Sequence, residues 1–234
     1  MLIPENKLFD RVLDEYSQIM PRYRNLRKWH DMSEKELWYE LCLCILSSNV
    51  PYELARSAVQ YLIKVGYLTP EWIVETFGSN AIIAEELKRP IYLPRKIDGT
   101  LRKYRFPNAR SKNICEAAKV IFSKEDWLSN LLTDSSSEVE ARRLLVNNIP
   151  GFGLKEASHF LRNIRYSNEL AIIDTHVLSF LIEINAVGAT STKTITQKIY
   201  MDLESKLKEI CESCSLDLSV FDMAIWACMR TERK

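Results

Sequence analysis

The chain has 234 residues, 47% of them hydrophobic and 27% charged, with a formal net charge of +1. That is apolar material for a full core, which excludes a disordered chain, and the length allows one domain or two small ones. The longest strongly apolar run, Leu41–Leu46 (LCLCIL), is far below the roughly 18 residues of a membrane-spanning helix, and the N-terminus MLIPENKLFD carries charges where a signal peptide has an apolar core. An intracellular, cytoplasmic protein that meets no membrane is expected.

In chain order, apolar residues recur with a helical period over about 35–47, 52–65, 71–77, 81–87, 109–122, 137–147, 154–164, 174–185, 193–210 and 217–229, joined by short links of Pro, Gly, Asn or Ser. They predict an all-α architecture. The β-branched pair Ile172-Ile173 precedes a turn, but no alternating segment is long enough for a strand. From 89 to 107 the sequence is irregular, because Pro90, Pro94, Gly99 and Pro107 break any helix.

Charge is clustered despite the small net value. Between Lys88 and Lys112 nine basic side chains (Lys88, Arg89, Arg95, Lys96, Arg102, Lys103, Arg105, Arg110 and Lys112) face Asp98 alone, a local excess of +8 that suits a polyanion such as nucleic acid. Arg22, Arg24, Arg27 and Lys28, with Tyr23 and Trp29 among them, read equally as a polyanion contact or as a solvated face balanced by Glu34, Glu36 and Glu40.

The six cysteines (Cys42, Cys44, Cys115, Cys211, Cys214 and Cys228) read as buried reduced thiols. Cys211 and Cys214 form a CxxC with no second pair to complete a zinc site, and no group of four is placed to hold an iron–sulfur cluster. No metal and no other cofactor is expected.

In SSSEVEARRLLVNN, Ser135 stands three residues before Glu138 as in a capping box, and Val139, Leu144 and Leu145 are expected to form the buried stripe of the helix that follows. Next comes IPGFG, with two of the only six glycines of the chain. Gly151 and Gly153 allow positive φ and close backbone approach, Pro150 fixes the start of the turn, and the second helix then presents its first amides to a phosphate. The alternative is a tight αα-hairpin with ordinary glycine turns. Lys155 lies in the first turn of that second helix, where the dipole disfavours a cation. In a partly dry cleft the same field would lower its pKa and supply the free amine of a nucleophile; otherwise it is an exposed lysine bent back to solvent. Nineteen residues on, in LAIIDTHVL, Asp174 follows an apolar run at a helix cap, where its carboxylate caps the helix, faces a cleft, or does both.

The IPGFG hairpin between two amphipathic helices resembles the helix-hairpin-helix motif of DNA repair proteins, and Lys155 with Asp174 matches the lysine and aspartate of the bifunctional helix-hairpin-helix DNA glycosylases. With WYELCLCILSSN, KEASHFLRNI and LAIIDTHVL, the chain from about Trp38 onward resembles the type-2 8-oxoguanine DNA glycosylase/AP lyase family. The resemblance implies a helix-hairpin-helix DNA glycosylase fold, with helical subdomains of about 34–165 and of about 1–33 plus 166–234 flanking a DNA- and base-binding cleft in one catalytic unit. It implies a monomer, without cofactor, acting on double-stranded DNA that contains oxidised guanine, in the cytoplasm at the nucleoid. Lys155 would attack C1′ of the damaged nucleotide and Asp174 would steady the positive sugar; Pro150, Gly151 and Gly153 would hold the backbone. Asn49 would enter the duplex hole, its other reading being a helix C-cap. His176 would touch a phosphate, while a core or cap role is equally open for it and more so for His159. Phe106 and Trp226 would flank the flipped base, and Lys234 at the terminus would recognise it. Two departures accompany the match: the tail ACMRTERK is a couple of residues shorter than the family's, and Lys88–Lys103 looks like an insertion whose contact with DNA is read from charge alone. Two rival readings remain at this point, a glycosylase for another oxidised base and a non-catalytic DNA-binding module in which Lys155 contacts phosphate.

Overall fold

A computed structural model describes residues 6–123, 127–188 and 195–232. Among them are twelve α-helices, one short 3-10 turn and no strand, the only extended pairing being an isolated bridge between Tyr92 and Arg102. The chain divides into two compact units, residues 29–160 and residues 1–28 with 161–234. None of the described helices is long and apolar enough to cross a membrane.

In the first unit α2 (Glu34–Ser47) is central. Ser33 and Glu36 form a reciprocal capping box at its start, and Leu37, Trp38 and all of Leu41–Leu46 are buried, so the second half of the helix is enclosed on every face. The Trp38 indole donates to the Leu68 carbonyl at 2.7 Å. Around it lie α3 (Tyr52–Lys64), α6 (Pro107–Ile121) and α7 (Trp127–Asp134), while α4 (Pro70–Glu75) and α5 (Ser79–Lys88) cover α6. The periodicity did not mark α7, whose first amides find their acceptor far away in sequence: Glu34 receives Leu128 N–H at 2.7 Å and Ser129 N–H at 3.1 Å.

The start of α8 (Glu138–Asn148) corrects the expected capping box. Ser137, not Ser135, is the N-cap and accepts from Glu140 N–H, while the Glu140 carboxylate returns to the amide and hydroxyl of Ser136. Ser135 instead donates its hydroxyl to Leu131. The buried stripe shifts accordingly: Ala141, Arg142 and Leu145 are buried, Leu144 is half-buried, and Val139 is 56% exposed.

The second unit contains α1 (Lys7–Arg24), α10 (Thr175–Glu183), α11 (Gln197–Ser213) and α12 (Leu218–Glu232). α1 also lies outside the segments that periodicity predicts, although Asn6 caps it by accepting from Leu8 and Phe9, and Leu8, Phe9 and Val12 form its buried face. It packs on α12 around three rings from three helices, with Phe9, Phe180 and Phe221 centroids 5.8–6.3 Å apart. Arg22 and Arg24 are exposed in its last turn, where the helix dipole favours cations, while Tyr23 between them is buried. Five cysteines are buried and Cys214 is exposed.

Candidate active site

Between α8 and α9 (Leu154–Asn163) the chain reverses through Ile149-Pro150-Gly151-Phe152. Phe152 N–H donates to the Ile149 carbonyl at 3.1 Å, Pro150 takes the second position and Gly151 the third with φ +83°, the features of a type II turn. Ile149 and Phe152 are buried, and the buried Arg142 of α8 donates to Ser158 of α9 at 3.2 Å, so the turn is fixed on both sides. A methyl group on Gly151 would also run into the side-chain amide of Asn113. Only one of the two glycines has the expected positive φ. At Gly153 an added Cβ would stand 3.3 Å from the Glu156 carboxylate, a tight contact that a small shift of that side chain relieves. Gly151→Ala is expected to cost about 1–2 kcal/mol, a loss of several degrees in Tm, and to weaken duplex binding; thermal melts and binding isotherms check both.

Glu156, which the sequence did not single out, organises this end of the unit. One of its oxygens accepts Gly153 N–H at 3.2 Å; the other accepts the Ser48 hydroxyl at 2.8 Å and stands 3.8 Å from Lys155 Nζ. A hairpin amide expected to face phosphate is therefore occupied by the protein's own carboxylate, in the helix-start position from which glutamate reaches back to its cap. The Lys155 side chain is 32% exposed. Ser48 closes α2, and Asn49 follows it, exposed, with φ +57°, so Asn49 occupies the left-handed position beyond the cap rather than the cap itself. Arg110 donates to the Ser48 carbonyl at 3.1 Å and lies 5.8 Å from the ring of half-buried Phe106, on which Arg105 also stands at 4.9 Å. Glu156, Ser48 and Arg110 thus link the hairpin and the Asn49 turn by hydrogen bonds, with Lys155 joined by an ion pair and Phe106 by cation–ring contacts.

In the other unit, Asp174 is the N-cap of α10, and its Oδ1 accepts His176 N–H at 2.7 Å and Val177 N–H at 3.0 Å. The buried run before it has no strand partner, and side chains hold its backbone instead. Ala171, Ile172 and Ile173 N–H donate to Glu204 at 3.0 Å, Asp222 at 2.8 Å and the Tyr200 hydroxyl at 3.3 Å, while that hydroxyl donates to the Ala171 carbonyl at 2.7 Å. Asp222, on α12, is buried and lies 3.3 Å from Arg162 of α9. Burial pushes its carboxyl up to about 7 and the charge of Asp174 adds to this, against the pull of Arg162 and of the Ile172 amide. Trp226 is half-buried on α12 with the Arg230 guanidinium 4.4 Å from its ring centroid. His176 and His159 are half-buried, and Lys234 lies outside the described residues.

The raised Asp222 carboxyl fixes the sign of a pH effect. Unfolded, the group ionises near 3.8, whereas the folded protein keeps its proton up to about 7, so its contribution to stability is full below the first value and falls as pH rises to the second. Asp222→Asn keeps an acceptor for Ile172 and removes the titration. Across that interval wild type is expected to lose up to roughly 4 kcal/mol relative to the variant in urea melts, and parallel profiles would contradict the assignment.

Two helical units with a proline–glycine hairpin between α8 and α9 are the fold of the helix-hairpin-helix DNA glycosylases. The sequence profile of the family described as 8-oxoguanine DNA glycosylase matches residues 19–216, and the chain belongs to that family. It is 34% identical over 227 residues to the 8-oxoguanine DNA glycosylase/AP lyase of Sulfurisphaera tokodaii, covering 96% of this chain and 94% of the relative. The crystal structure of the Methanocaldococcus jannaschii 8-oxoguanine DNA glycosylase matches with a TM-score of 0.72 at 30% identity, over 94% of this chain and 90% of that one. The glycosylase/lyase of the same organism in complex with 15mer DNA containing 8-oxoguanine matches with a TM-score of 0.66 at 27% identity, over 94% and 87%.

Proposed function

We propose that the protein removes 8-oxoguanine from double-stranded DNA and cleaves the strand at the resulting abasic site by β-elimination through a Schiff base on Lys155. The observation that carries this reading is the placement of Lys155: a lysine in the first turn of a helix, directly behind a rigid hairpin, held by Glu156 in the same neighbourhood as the Asn49 turn and Phe106. Nothing in helix stability calls for a cation there. The relatives named 8-oxoguanine DNA glycosylase/AP lyase support the substrate and both activities.

In this mechanism the damaged nucleotide is extruded, Asn49 takes its place in the stack, and Phe106 and Trp226 are the aromatics assigned to the flipped base. Lys234 is assigned to the base by family resemblance alone. Pro150, Gly151 and Gly153 shape the hairpin that bears on the backbone, and His176 contacts a phosphate. The Asp174 carboxylate stabilises positive charge on the sugar as the glycosidic bond breaks. The Lys155 amine bonds to the C1′ that the base has left and gives up a proton to solvent, with the Glu156 carboxylate 3.8 Å from Nζ. The C1′–O4′ bond then opens, O4′ taking a proton, to leave the iminium, which acidifies C2′–H, and loss of that proton expels the 3′ phosphate. The whole chain works as one catalytic unit, a monomer without cofactor, on the DNA of the nucleoid.

The test is incubation with matched duplexes containing guanine, 8-oxoguanine or an oxidised pyrimidine, followed by resolution of free base and strand ends. Released 8-oxoguanine with a β-elimination end is expected from the second duplex alone. Preferential cleavage of the pyrimidine lesion would reassign the substrate, and tight binding without base release would leave a DNA-binding module.

A further inference from the structure

Residues 89–105 form an arm that the proposed chemistry leaves unused. Tyr92 and Arg102 exchange backbone hydrogen bonds of 3.0 and 2.9 Å, and the turn beyond them is closed by Lys96 N–H to Thr100 O at 2.8 Å and Gly99 N–H to Lys96 O at 3.0 Å. Side chains brace it from within: Arg95 donates to the Gly99 carbonyl at 2.8 Å and Arg102 to the Pro94 carbonyl at 2.9 Å. The base is anchored as well, since Tyr92 and Tyr104 are buried and donate their hydroxyls to Glu86 O at 2.7 Å and Leu46 O at 2.5 Å. The result is a preformed projection whose tip, residues 93–100, is exposed throughout.

Two features of that tip are costly for a surface turn without a partner. Ile97 is fully exposed and Leu93 largely so. The charge is also less balanced than ion pairing elsewhere would predict. Lys88, Arg89 and Lys112 are matched by Glu85, Glu86 and Glu116, so the excess of +8 overstates the free charge. Arg95, Lys96, Arg102, Lys103, Arg105 and Arg110 remain against Asp98 alone, which accepts from the amide and hydroxyl of Thr100 and lies within electrostatic reach of Lys96, so an excess of +5 is left. Lys103 and Arg105 flank Tyr104, whose hydroxyl meets the carbonyl of Leu46 three residues before Asn49. The cationic surface of the arm therefore begins beside the turn that carries Asn49.

We propose that this arm is a second duplex contact, resting on the DNA reading above, in which Lys96 and Lys103 lie against phosphates several base pairs from the damaged nucleotide and Ile97 packs on the sugar edge of the groove. Cations supply affinity that follows salt, and an apolar tip at a groove is a recurrent partner for them. A protein partner would use Ile97 but would give no such salt dependence.

The decisive variants are Lys96→Ala/Lys103→Ala and Ile97→Ser, measured for binding to a long lesion duplex between about 50 and 200 mM salt and to a duplex trimmed close to the lesion. For the double variant the slope of log K against log salt is expected to become shallower by about 2 on the long duplex, to match wild type on the trimmed one, and to leave the borohydride adduct at saturating protein unchanged. Ile97→Ser is expected to weaken long-duplex binding several-fold at an unchanged slope. Equal slopes and affinities for the double variant and wild type would overturn the arm assignment and leave the lyase reading intact. The shallower slope in a protein that forms no adduct would sink the lyase reading and leave the arm.

Discussion

Lys155→Gln is expected to abolish the borohydride-trapped adduct and to lower strand cleavage by roughly three orders of magnitude or more, while leaving the fold unchanged. The side chain is partly exposed, and its ion-pair distance to Glu156 is 3.8 Å, so the pair contributes little to stability. Glutamine also removes a cation from the positive end of α9, a gain of a few tenths of a kcal/mol that offsets that small loss. The melting curve should therefore barely move as the chemistry disappears. A structural lysine would show the reverse, a changed Tm with cleavage retained.

The second large effect belongs to Asp174. Its Oδ1 caps α10 through two amides, and asparagine caps as well as aspartate does, so Asp174→Asn keeps the helix start and removes only the charge. Single-turnover base release is expected to fall by about 10²–10³-fold with lesion-duplex binding preserved, because the carboxylate acts on a positive charge that appears only in the transition state. Asp174→Ala should add a stability loss of about 1 kcal/mol from the missing cap. If the asparagine variant turned over at the wild-type rate, Asp174 would be a cap and nothing more.

The sequence made the hairpin and its lysine legible because proline, scarce glycines and an amphipathic period are local marks. Features set by distant partners were harder to read. The first amides of α7 are capped by Glu34, more than ninety residues earlier, and the apolar run before Asp174 avoids being a strand because Glu204, Asp222 and Tyr200 satisfy its backbone from two later helices. Ser135 with Glu138 and Ser137 with Glu140 share one spacing, and the structure uses the second pair for the cap. Glu156 was visible as an acid three residues after Gly153, a spacing that marks a carboxylate folding back on its helix start. Its further link to Ser48 depends on tertiary structure alone. Charge counting overstated the basic segment for the same reason, since three of its cations pair with glutamates outside it.

The central claim is that the amine of Lys155 bonds to the sugar. Trapping wild type with borohydride on a duplex containing 8-oxoguanine, digesting the adduct and mapping the modified peptide by mass spectrometry tests it directly. A single nucleotide-bearing site at Lys155 is the predicted result; an adduct on another lysine or on the N-terminal amine, with Lys155 unmodified, would contradict it.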